Sequence, residues 1–268
     1  MSHSAAGERT PFDTLTRLGF ASRALMYAAT GFLILRLGRT EDNLGALRFL
    51  DSSFGGVLLG TMAVGFLGYG AWRLFEAVTD TEGHGSGAAG ILARVGGAGS
   101  GLIHLGLCWI AARLASGLEP SGDAASAERA AALAMSMPGG VALLYLGAAV
   151  LLAAGVVQLA RAVKCAFLRF LDPHIAAKAW VLWAGRLGYL ARGVVFVATG
   201  LLIGRAAWLD SARAAGGTEQ ALDSFPETIR LLVAAGLLIF GAFSLVEAIY
   251  RRIHDPEVLD RLKRFTPS

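Results

Sequence analysis

One apolar pattern occurs three times along this chain and limits what it can fold into. Residues 17–23 are Arg-Leu-Gly-Phe-Ala-Ser-Arg, residues 186–192 are Arg-Leu-Gly-Tyr-Leu-Ala-Arg, and residues 94–100 are Arg-Val-Gly-Gly-Ala-Gly-Ser. Each copy opens a long apolar stretch, and a second apolar stretch follows it. A unit repeated in this way is one supersecondary element that buries its apolar surface against its neighbours. The sequence therefore predicts three equivalent two-helix units.

The apolar stretches have the composition and the length of membrane-spanning helices. Hydrophobic residues make up 55% of the chain and charged residues 16%, whereas soluble domains carry roughly 25% charged residues. The mean hydropathy is +0.57. The six stretches, each close to the ~20 residues that a span needs, are residues 18–37, 55–75, 96–115, 139–160, 188–208 and 229–249. We predict an all-α fold, an integral membrane six-helix bundle.

Three consecutive hairpins of spanning helices all have one orientation in the bilayer. The repeats are therefore parallel, unlike the inverted repeats of many transporters, and we expect a pseudo-three-fold arrangement about the membrane normal. The predicted organisation is a disordered N-terminal tail (1–14), repeat one (15–80), repeat two (92–162), a basic connection (163–182), repeat three (183–250) and a C-terminal tail (251–268).

The distribution of Lys and Arg predicts the orientation. The side that carries both termini has 16 of these residues and the other side has 8, and the excess marks the cytoplasmic side. We expect both termini to be cytoplasmic, the protein to lie in a bacterial inner membrane, and no signal peptide to precede the first span. Because the basic residues flank spans, we expect anionic lipid headgroups as partners and no nucleic acid. Protein partners stay unknown, and a homo-oligomer is left open.

The second helix of each unit has its own shared pattern. Residues 70–77 are Gly-Ala-Trp-Arg-Leu-Phe-Glu-Ala and residues 241–248 are Gly-Ala-Phe-Ser-Leu-Val-Glu-Ala. The middle copy can be aligned through Gly155, which puts Arg161 at the Glu position, or through Gly147, which puts Gln158 there. We prefer the alignment through Gly155 because both patterns then end in the same Ala.

These patterns give the chain a family resemblance. The Arg-Leu-Gly-aromatic-x-x-Arg opening, Ala46-Leu47 before Phe54-Gly55, and Gly68-Tyr69-Gly70-x-Trp72-Arg73-x-x-Glu76-Ala77 resemble the bacterial membrane family called domain of unknown function 1206, in which a two-helix unit occurs in tandem. The resemblance extends from about Leu15 to Tyr250 and is weakest in copy two, where Ser100 replaces Arg. It implies a multi-spanning bacterial membrane protein without an assigned activity.

Four charged residues in the outer copies lie at a similar predicted depth near the cytoplasmic interface. Arg23 and Arg192 enter first helices, and Glu76 and Glu247 leave second helices. We predict that Arg23 pairs with Glu76 and Arg192 with Glu247, since a lone Arg at a helix centre costs about 2.5–3.5 kcal/mol on insertion scales. Two interpretations stay open: a clamp, either within a hairpin or to a neighbouring hairpin, or an ion or headgroup site at the cytoplasmic entrance.

One histidine falls inside a predicted span. His104 occupies the position of Tyr27 and Phe196 in the other copies. It could relay protons, but a hydrogen-bonded helix contact is the favoured interpretation because no second titratable residue is visible at its depth. The full candidate cluster comprises Arg23, Arg73, Glu76, His104, Arg192 and Glu247.

The connections carry weaker signals. Three segments on the outer side, 43–51, 124–137 and 218–223, are expected to form short surface helices. On the inner side, Arg161–Leu171 combines basic residues with an apolar face. This segment is either an interfacial helix or a continuation of the fourth span.

The sequence does not assign an activity. We find no nucleophile elbow, zincin His pair, paired catalytic acids or Cys/His constellation, so we expect no enzyme, cofactor or metal. The favoured function is a non-catalytic scaffold or a lipid-interacting membrane protein. The alternative is a small ion or neutral-solute channel or transporter with the Arg/Glu cluster at its cytoplasmic entrance. A water-accessible axis would favour the alternative, and a dry axis packed by glycine the scaffold.

Overall fold

The computed structural model describes residues 11–38, 40–80, 83–118 and 127–252. Within these ranges every regular element is helical, apart from one isolated antiparallel bridge between Leu171 and Arg251. The α-helices are α1 (Pro11–Leu37), α2 (Asn43–Phe54), α3 (Gly56–Thr79), α4 (Ala88–Ala115), α5 (Ala127–Met135), α6 (Gly140–Lys164), α7 (Pro173–Ala176), α8 (Ala179–Trp208), α9 (Thr218–Asp223) and α10 (Glu227–Tyr250). Short 3-10 segments lie at Ala166–Phe170 and Ala212–Ala214.

Six of these helices, α1, α3, α4, α6, α8 and α10, are long and apolar enough to cross a membrane. For the part of the chain that the structure describes, the prediction of an all-α protein with six candidate spans is confirmed. Several helices extend past the apolar stretch, and α1 begins at Pro11, inside the segment predicted to be a disordered tail. The remainder of both predicted tails, residues 1–10 and 253–268, lies outside the described residues. Five of the basic residues used to predict the orientation also lie outside them: Arg9, Arg39, Arg261, Lys263 and Arg264.

Exposed tryptophans lie near both ends of α8. Trp180 and Trp183 lie at its beginning and Trp208 at its end, and all three are exposed. The rise from Trp183 to Trp208 is about 37 Å at 1.5 Å per residue. This length spans a hydrocarbon core of about 30 Å and reaches both interfaces, where Trp side chains concentrate.

The spanning helices contact one another in a cyclic order. Within the described residues α1 contacts α3, α3 contacts α4, α4 contacts α6, α6 contacts α8, α8 contacts α10, and α10 contacts α1. The interfaces between successive repeats (α3/α4, α6/α8 and α10/α1) are more extensive than those within a repeat. We call the face where α1 begins and α10 ends the terminal face, and the opposite face the distal face.

Three glycines that the preferred alignment makes equivalent have equivalent neighbours. Gly70, Gly155 and Gly241 each face the first helix of the next repeat so closely that a Cβ there would approach a backbone carbonyl oxygen. Those carbonyls belong to Gly101, Gly193 and Ala24, at 3.0, 3.1 and 2.8 Å. Each carbonyl residue directly follows the position of Arg23 in its own copy. The contacts support the alignment through Gly155, and hence Arg161 at the Glu position.

The distal face carries the short helices α2, α5 and α9, in agreement with the three segments predicted there, of which residues 124–126 lie outside the described part. α2 begins where the Asp42 carboxylate accepts a hydrogen bond from the backbone N–H of Gly45 at 2.9 Å, a common N-cap. It buries Leu44, Leu47 and Leu50. This burial fixes α2 against the ends of the spanning helices.

At the terminal face, arginines satisfy the free carbonyl groups at the ends of two second helices. Arg17 donates to the carbonyls of Ala248 at 2.8 Å and Ile249 at 2.6 Å, and the equivalent Arg94 donates to Ala77 at 2.7 Å. Such a cation also complements the negative end of the helix dipole. In both cases the first helix of one repeat caps the second helix of the preceding one.

The basic segment Arg161–Leu171 takes neither predicted form over its whole length. α6 continues to Lys164, and Cys165 then has a left-handed backbone conformation with φ 53°. The 3-10 segment Ala166–Phe170 follows and buries Phe167. The left-handed residue ends the helix, so the segment turns back onto the bundle instead of extending along the membrane surface.

Candidate functional site

The α10/α1 interface holds a fully buried ion pair. Arg23 Nη2 lies 2.5 Å from Glu247 Oε2, and the two side chains are 2% and 1% exposed. Arg23 Nη1 also donates to Tyr69 Oη at 2.7 Å, and Nε donates to Ser244 Oγ at 3.3 Å. Every nitrogen of this guanidinium therefore has an acceptor, which is the condition under which a buried charge is tolerated.

Glu247 serves more than one donor. Arg251 Nη1 lies 2.8 Å from Glu247 Oε1, and Tyr189 Oη lies 3.3 Å from the same oxygen. Two guanidinium groups thus share one buried carboxylate. The carboxylate joins repeat three to repeat one.

The predicted pairing of these charges is wrong. Arg23 pairs with Glu247 and not with Glu76, and Arg192 has neither a hydrogen bond nor an ion pair with a carboxylate of the described residues. Arg23, Arg192 and Glu247 line one cavity, and Glu76 contacts Arg73, which lines it too. Depth along a helix, however, does not determine direction around the helix axis. The close glycine contacts turn each second helix toward the following repeat, so the acidic residue faces the next repeat's first helix instead of its own.

The α3/α4 interface has the glutamate, Glu76, but no arginine at the position equivalent to Arg23. Ser100 stands where the other copies have Arg. Glu76 is completely buried, and its contacts come from its own segment: Arg73 Nη1 lies 3.1 Å from Oε2 and His84 Nδ1 lies 3.2 Å from Oε1. Arg73, one of the predicted cluster residues, therefore neutralises Glu76 from one turn earlier in α3. These contacts have ion-pair distances without hydrogen-bond geometry.

Three residues at the end of α3 could hold a divalent cation. Ligand atoms of Glu76, Asp80 and His84 lie within 4.8 Å of one another, and a cation there would share Glu76 with the Arg73 guanidinium. Asp80 already orders the turn, since its two oxygens accept the backbone N–H groups of His84 at 2.7 Å and Gly85 at 2.8 Å. Slight burial raises the pKa of Asp80, but these hydrogen bonds outweigh it and hold the pKa below its ordinary value.

The α6/α8 interface has the arginine, Arg192, but no glutamate at the position equivalent to Glu247. Arg192 is 4% exposed, and its Nε donates to Tyr27 Oη at 2.8 Å. Its guanidinium carbon lies 4.6 Å from the ring centre of Phe196 and 5.3 Å from that of Phe240. Ring contacts of this kind contribute about 0.5–2 kcal/mol each, which stabilises the cation but leaves its charge uncompensated by a carboxylate.

The side chains opposite Arg192 explain the missing carboxylate. By the glycine alignment, Arg161 occupies the position of Glu247, and Gln158 occupies that of Ser244, which contacts Arg23. Gln158 is buried, and its Oε1 has no hydrogen-bond partner among the described residues. The two substitutions in copy two, Ser100 and Arg161, thus affect two different interfaces.

His104 lies near the middle of α4 and is buried. Its Nδ1 is 2.7 Å from the Ser100 carbonyl oxygen in its own helix, and because a carbonyl oxygen can only accept, Nδ1 carries the hydrogen and donates. The ring centre lies 4.4 Å from that of Tyr69, and Nε2 has no hydrogen-bond partner within the described ranges. The predicted helix contact is therefore a ring contact with α3, and the hydrogen bond stays within α4.

Two cavities meet along the axis. The larger, which we call the distal vestibule, has a volume of about 500 Å³ and extends from Asp42 and Glu219 at the distal face to Arg192. The smaller, which we call the terminal cavity, has a volume of about 30 Å³, room for about two water molecules. Ser100, Arg192 and Phe196 line both. Burial raises the pKa of Glu219, and the nearby charges of three other acidic residues raise it further.

The terminal cavity has an excess of positive charge. Its charged lining consists of Arg23, Arg73, Arg161, Arg192, Arg251 and Glu247. The structure thus brings Arg23, Arg73, Arg192 and Glu247 of the predicted cluster to one cavity, with Glu76 in contact with Arg73 and His104 lining the vestibule. Depth along the helices was enough to place them together.

Sequence reasoning missed the residues that connect this cluster. Tyr69 accepts a hydrogen bond from Arg23 and Tyr27 accepts one from Arg192, and Arg251 shares Glu247. Arg251 could have been found from its spacing, because it follows Glu247 by four residues and such pairs meet on one helix face. The two tyrosines carry no comparable sequence signal.

Comparisons with known proteins agree with the repeat structure. A family model described as Domain of Unknown Function (DUF1206) matches residues 18–80, 95–164 and 187–251. A Bacillus subtilis (strain 168) protein named "Uncharacterized protein YxxB" is 28% identical over 251 residues, which cover 88% of this chain and 90% of that protein. No solved structure matches the chain.

Proposed function

We propose a solute pathway for this protein. The chain belongs to the Domain of Unknown Function (DUF1206) family, and the proposal is that it forms a pathway for small solutes through the membrane. It is a multi-pass membrane protein with six candidate spans, and the family description assigns no activity. In this proposal the protein is not an enzyme and uses no cofactor. It binds its solute from the distal face.

The distal vestibule is the observation that carries this proposal. A cavity of about 500 Å³ is within the range of small-molecule sites, and it penetrates the bundle to the depth of His104 and Arg192. A scaffold needs no such space, because spanning helices associate through close packing of small residues. Here the close glycine contacts lie in the interfaces around the ring, as at Gly241, and the axis stays open over this length.

The meeting point of the two cavities selects the size of the solute. Ser100, Arg192 and Phe196 line both cavities, and the terminal cavity beyond them holds only about two water molecules. Large hydrophilic molecules are excluded at this point. Passage requires these side chains to move, so the described conformation is open toward the distal face and closed toward the terminal face.

The proposal includes the finer architecture. The cyclic helix contacts and the equivalent positions of Gly70, Gly155 and Gly241 support a pseudo-three-fold axis along the membrane normal. The excess of Lys and Arg at the terminal face supports a cytoplasmic location for both termini, in a bacterial inner membrane. A periplasmically active reporter fused after Ser268 is then silent, and strong activity there would reverse the orientation.

Flux in proteoliposomes tests the pathway. We expect the full-length protein to conduct at least one solute from a panel of small ions and small neutral molecules. Gly106 lines the vestibule, and a Cβ there meets no atom within 4 Å, so Gly106→Trp should fill the vestibule and lower the flux at least tenfold. Gly147 has equally open space but lines neither cavity, which makes Gly147→Trp the matched control. Absence of flux for every solute, or equal flux in both variants, contradicts the pathway.

A scaffold or lipid-binding role is the second candidate, as favoured from the sequence. The observation that supports it is an exposed basic margin at the terminal face, formed by Lys164, Arg169 and Lys178 beside Trp180 and Trp183. Cations beside interfacial Trp attract anionic headgroups. Lipid that copurifies with the protein should then be enriched in anionic species, and the enrichment should fall when Lys164 and Arg169 are changed to Gln.

A further inference from the structure

Arg192 is a buried cation at the deepest point of an open vestibule. Its side chain is 4% exposed and lines both cavities. Among the described residues its only hydrogen bond goes to the neutral Tyr27 hydroxyl through Nε, so neither Nη group donates to a described acceptor. Buried charges in proteins are normally paired. The guanidinium of Arg192 instead lies beside aromatic rings, among them those of Phe196 and Phe240, and no described carboxylate pairs with it.

The equivalent arginine of repeat one shows what Arg192 lacks. Arg23 donates through Nη2 to the Glu247 carboxylate and through Nη1 to the Tyr69 hydroxyl. At the α6/α8 interface the residue at the Glu247 position is Arg161, so a cation stands where the carboxylate would be. The same fold therefore has an arginine and a glutamate at one interface and two arginines without a carboxylate at the equivalent positions of another.

The shape and surroundings of the Arg192 site indicate the chemistry of its ligand. Two Nη groups in one plane match the two oxygens of a planar anion, in the bidentate geometry that guanidinium forms with carboxylates. The terminal cavity adds four further arginines and a single glutamate to the surrounding charge. Seven residues along α8, Thr199 lines the vestibule on the same helix face, and its hydroxyl has no hydrogen-bond partner among the described residues.

We propose that Arg192 binds a small, planar, monovalent oxyanion, a carboxylate of one or two carbons or an ion of the same shape such as nitrate, which takes the place that Glu247 occupies beside Arg23. This inference rests on the proposed pathway and names its solute class. The anion enters through the distal vestibule, passes Thr199 and is held between the Nη groups of Arg192 and the Gln158 side of the α6/α8 interface.

Formate and formamide give a direct test, because they have nearly the same shape and differ in charge. The full-length protein in detergent is titrated with each compound at constant ionic strength, kept with sodium gluconate, while thermal unfolding is recorded. Formate and nitrate should raise Tm saturably, as a ligand that binds only the folded state does, whereas formamide should not. Chloride distinguishes a requirement for planar oxygens from a requirement for charge alone, and stabilisation by chloride equal to that by formate overturns the planar assignment.

Two variants locate the site and one serves as a control. Arg192→Gln should weaken formate binding at least tenfold. Gln158→Glu changes one atom and places a carboxylate beside Arg192, so it should raise Tm without formate and also weaken formate binding at least tenfold. Arg205→Gln removes an exposed arginine of α8 that lines neither cavity and should respond to formate as the wild type does. The Gln158 variant keeps the test decisive if Arg192→Gln does not fold.

The outcomes separate this inference from the pathway. Stabilisation by formate that both variants remove supports the anion site, even if no solute crosses proteoliposomes, in which case the pathway alone fails. Flux of neutral solutes without any stabilisation by formate or nitrate supports the pathway and overturns the anion site. An equal response to formate in the wild type, Arg192→Gln and Gln158→Glu also overturns it.

Discussion

The ion pair between Arg23 and Glu247 should couple repeat one to repeat three in a double-mutant cycle. The perturbations are Arg23→Gln, Glu247→Gln and the two together. Both side chains are almost completely buried and their charged atoms are 2.5 Å apart. The free energy of unfolding should therefore depend more strongly on each residue while the other is present.

The two single variants should differ in cost because their partners differ. Removing Glu247 leaves Arg23 and Arg251 buried without their shared carboxylate, and breaking a buried pair in this way costs about 3–5 kcal/mol. Removing Arg23 leaves Glu247 with Arg251 and Tyr189, so we expect a smaller loss of about 1.5–3 kcal/mol, the range for hydrogen bonds to charged groups. The double variant should be less destabilised than the sum of the two by about 1–3 kcal/mol.

Unfolding in mixed detergent micelles, followed by tryptophan fluorescence, supplies the four free energies of the cycle. A second cycle with Arg23→Gln and Glu76→Gln is the matched control, because Glu76 pairs with Arg73 instead and its loss should be additive within about 0.5 kcal/mol. Additive losses for Arg23 and Glu247, or coupling of Arg23 to Glu76 instead, would refute the assignment of charges to interfaces between repeats.

Two further changes test packing and the turn after α3. Gly241→Ala places a Cβ 2.8 Å from the Ala24 carbonyl oxygen and should destabilise the protein by about 1–3 kcal/mol, whereas Gly106→Ala, with nothing within 4 Å, should stabilise it by up to about 1 kcal/mol; equal Tm changes would contradict the close α10/α1 contact. Asp80 has a folded-state pKa below its ordinary value of 3.8, so its contribution is present above that pH and is lost as the pH falls through the folded-state pKa. Asp80→Asn should lower Tm by roughly 2 °C at pH 7 and by less near pH 3, and a loss independent of pH would show that its charge does not matter.

The candidate site shows how far the sequence could predict the arrangement of charges. Position along a helix follows directly from counting residues, and the four residues expected at similar depth, Arg23, Arg192, Glu76 and Glu247, lie in or next to the terminal cavity. Partner choice depends on rotation about the helix axis and on which helices are neighbours, and residue counting contains neither. The interfaces between repeats proved more extensive than those within a repeat, which is why pairing inside each hairpin was the wrong expectation.

For the same reason, the substitutions in copy two are interpreted differently once the neighbouring helices are known. Ser100 and Arg161 look like the joint loss of one pair when the repeats are compared as separate hairpins. In the bundle, Ser100 belongs to the interface with Glu76, and Arg161 belongs to the interface with Arg192. Each substitution therefore removes the partner of a different charge. Glu76 contacts Arg73 instead, whereas Arg192 has no carboxylate partner among the described residues.

By itself the sequence determined the environment of this protein and its repeated unit. Twenty or so consecutive apolar residues can hardly avoid a bilayer, and a pattern present three times must produce similar local structures. The tertiary structure alone decided that the axis contains a vestibule and that three equivalent interfaces carry unequal charges. Cavities and ion pairs depend on distances between side chains far apart in the chain, and those distances are set by how closely the helices approach at a few glycines.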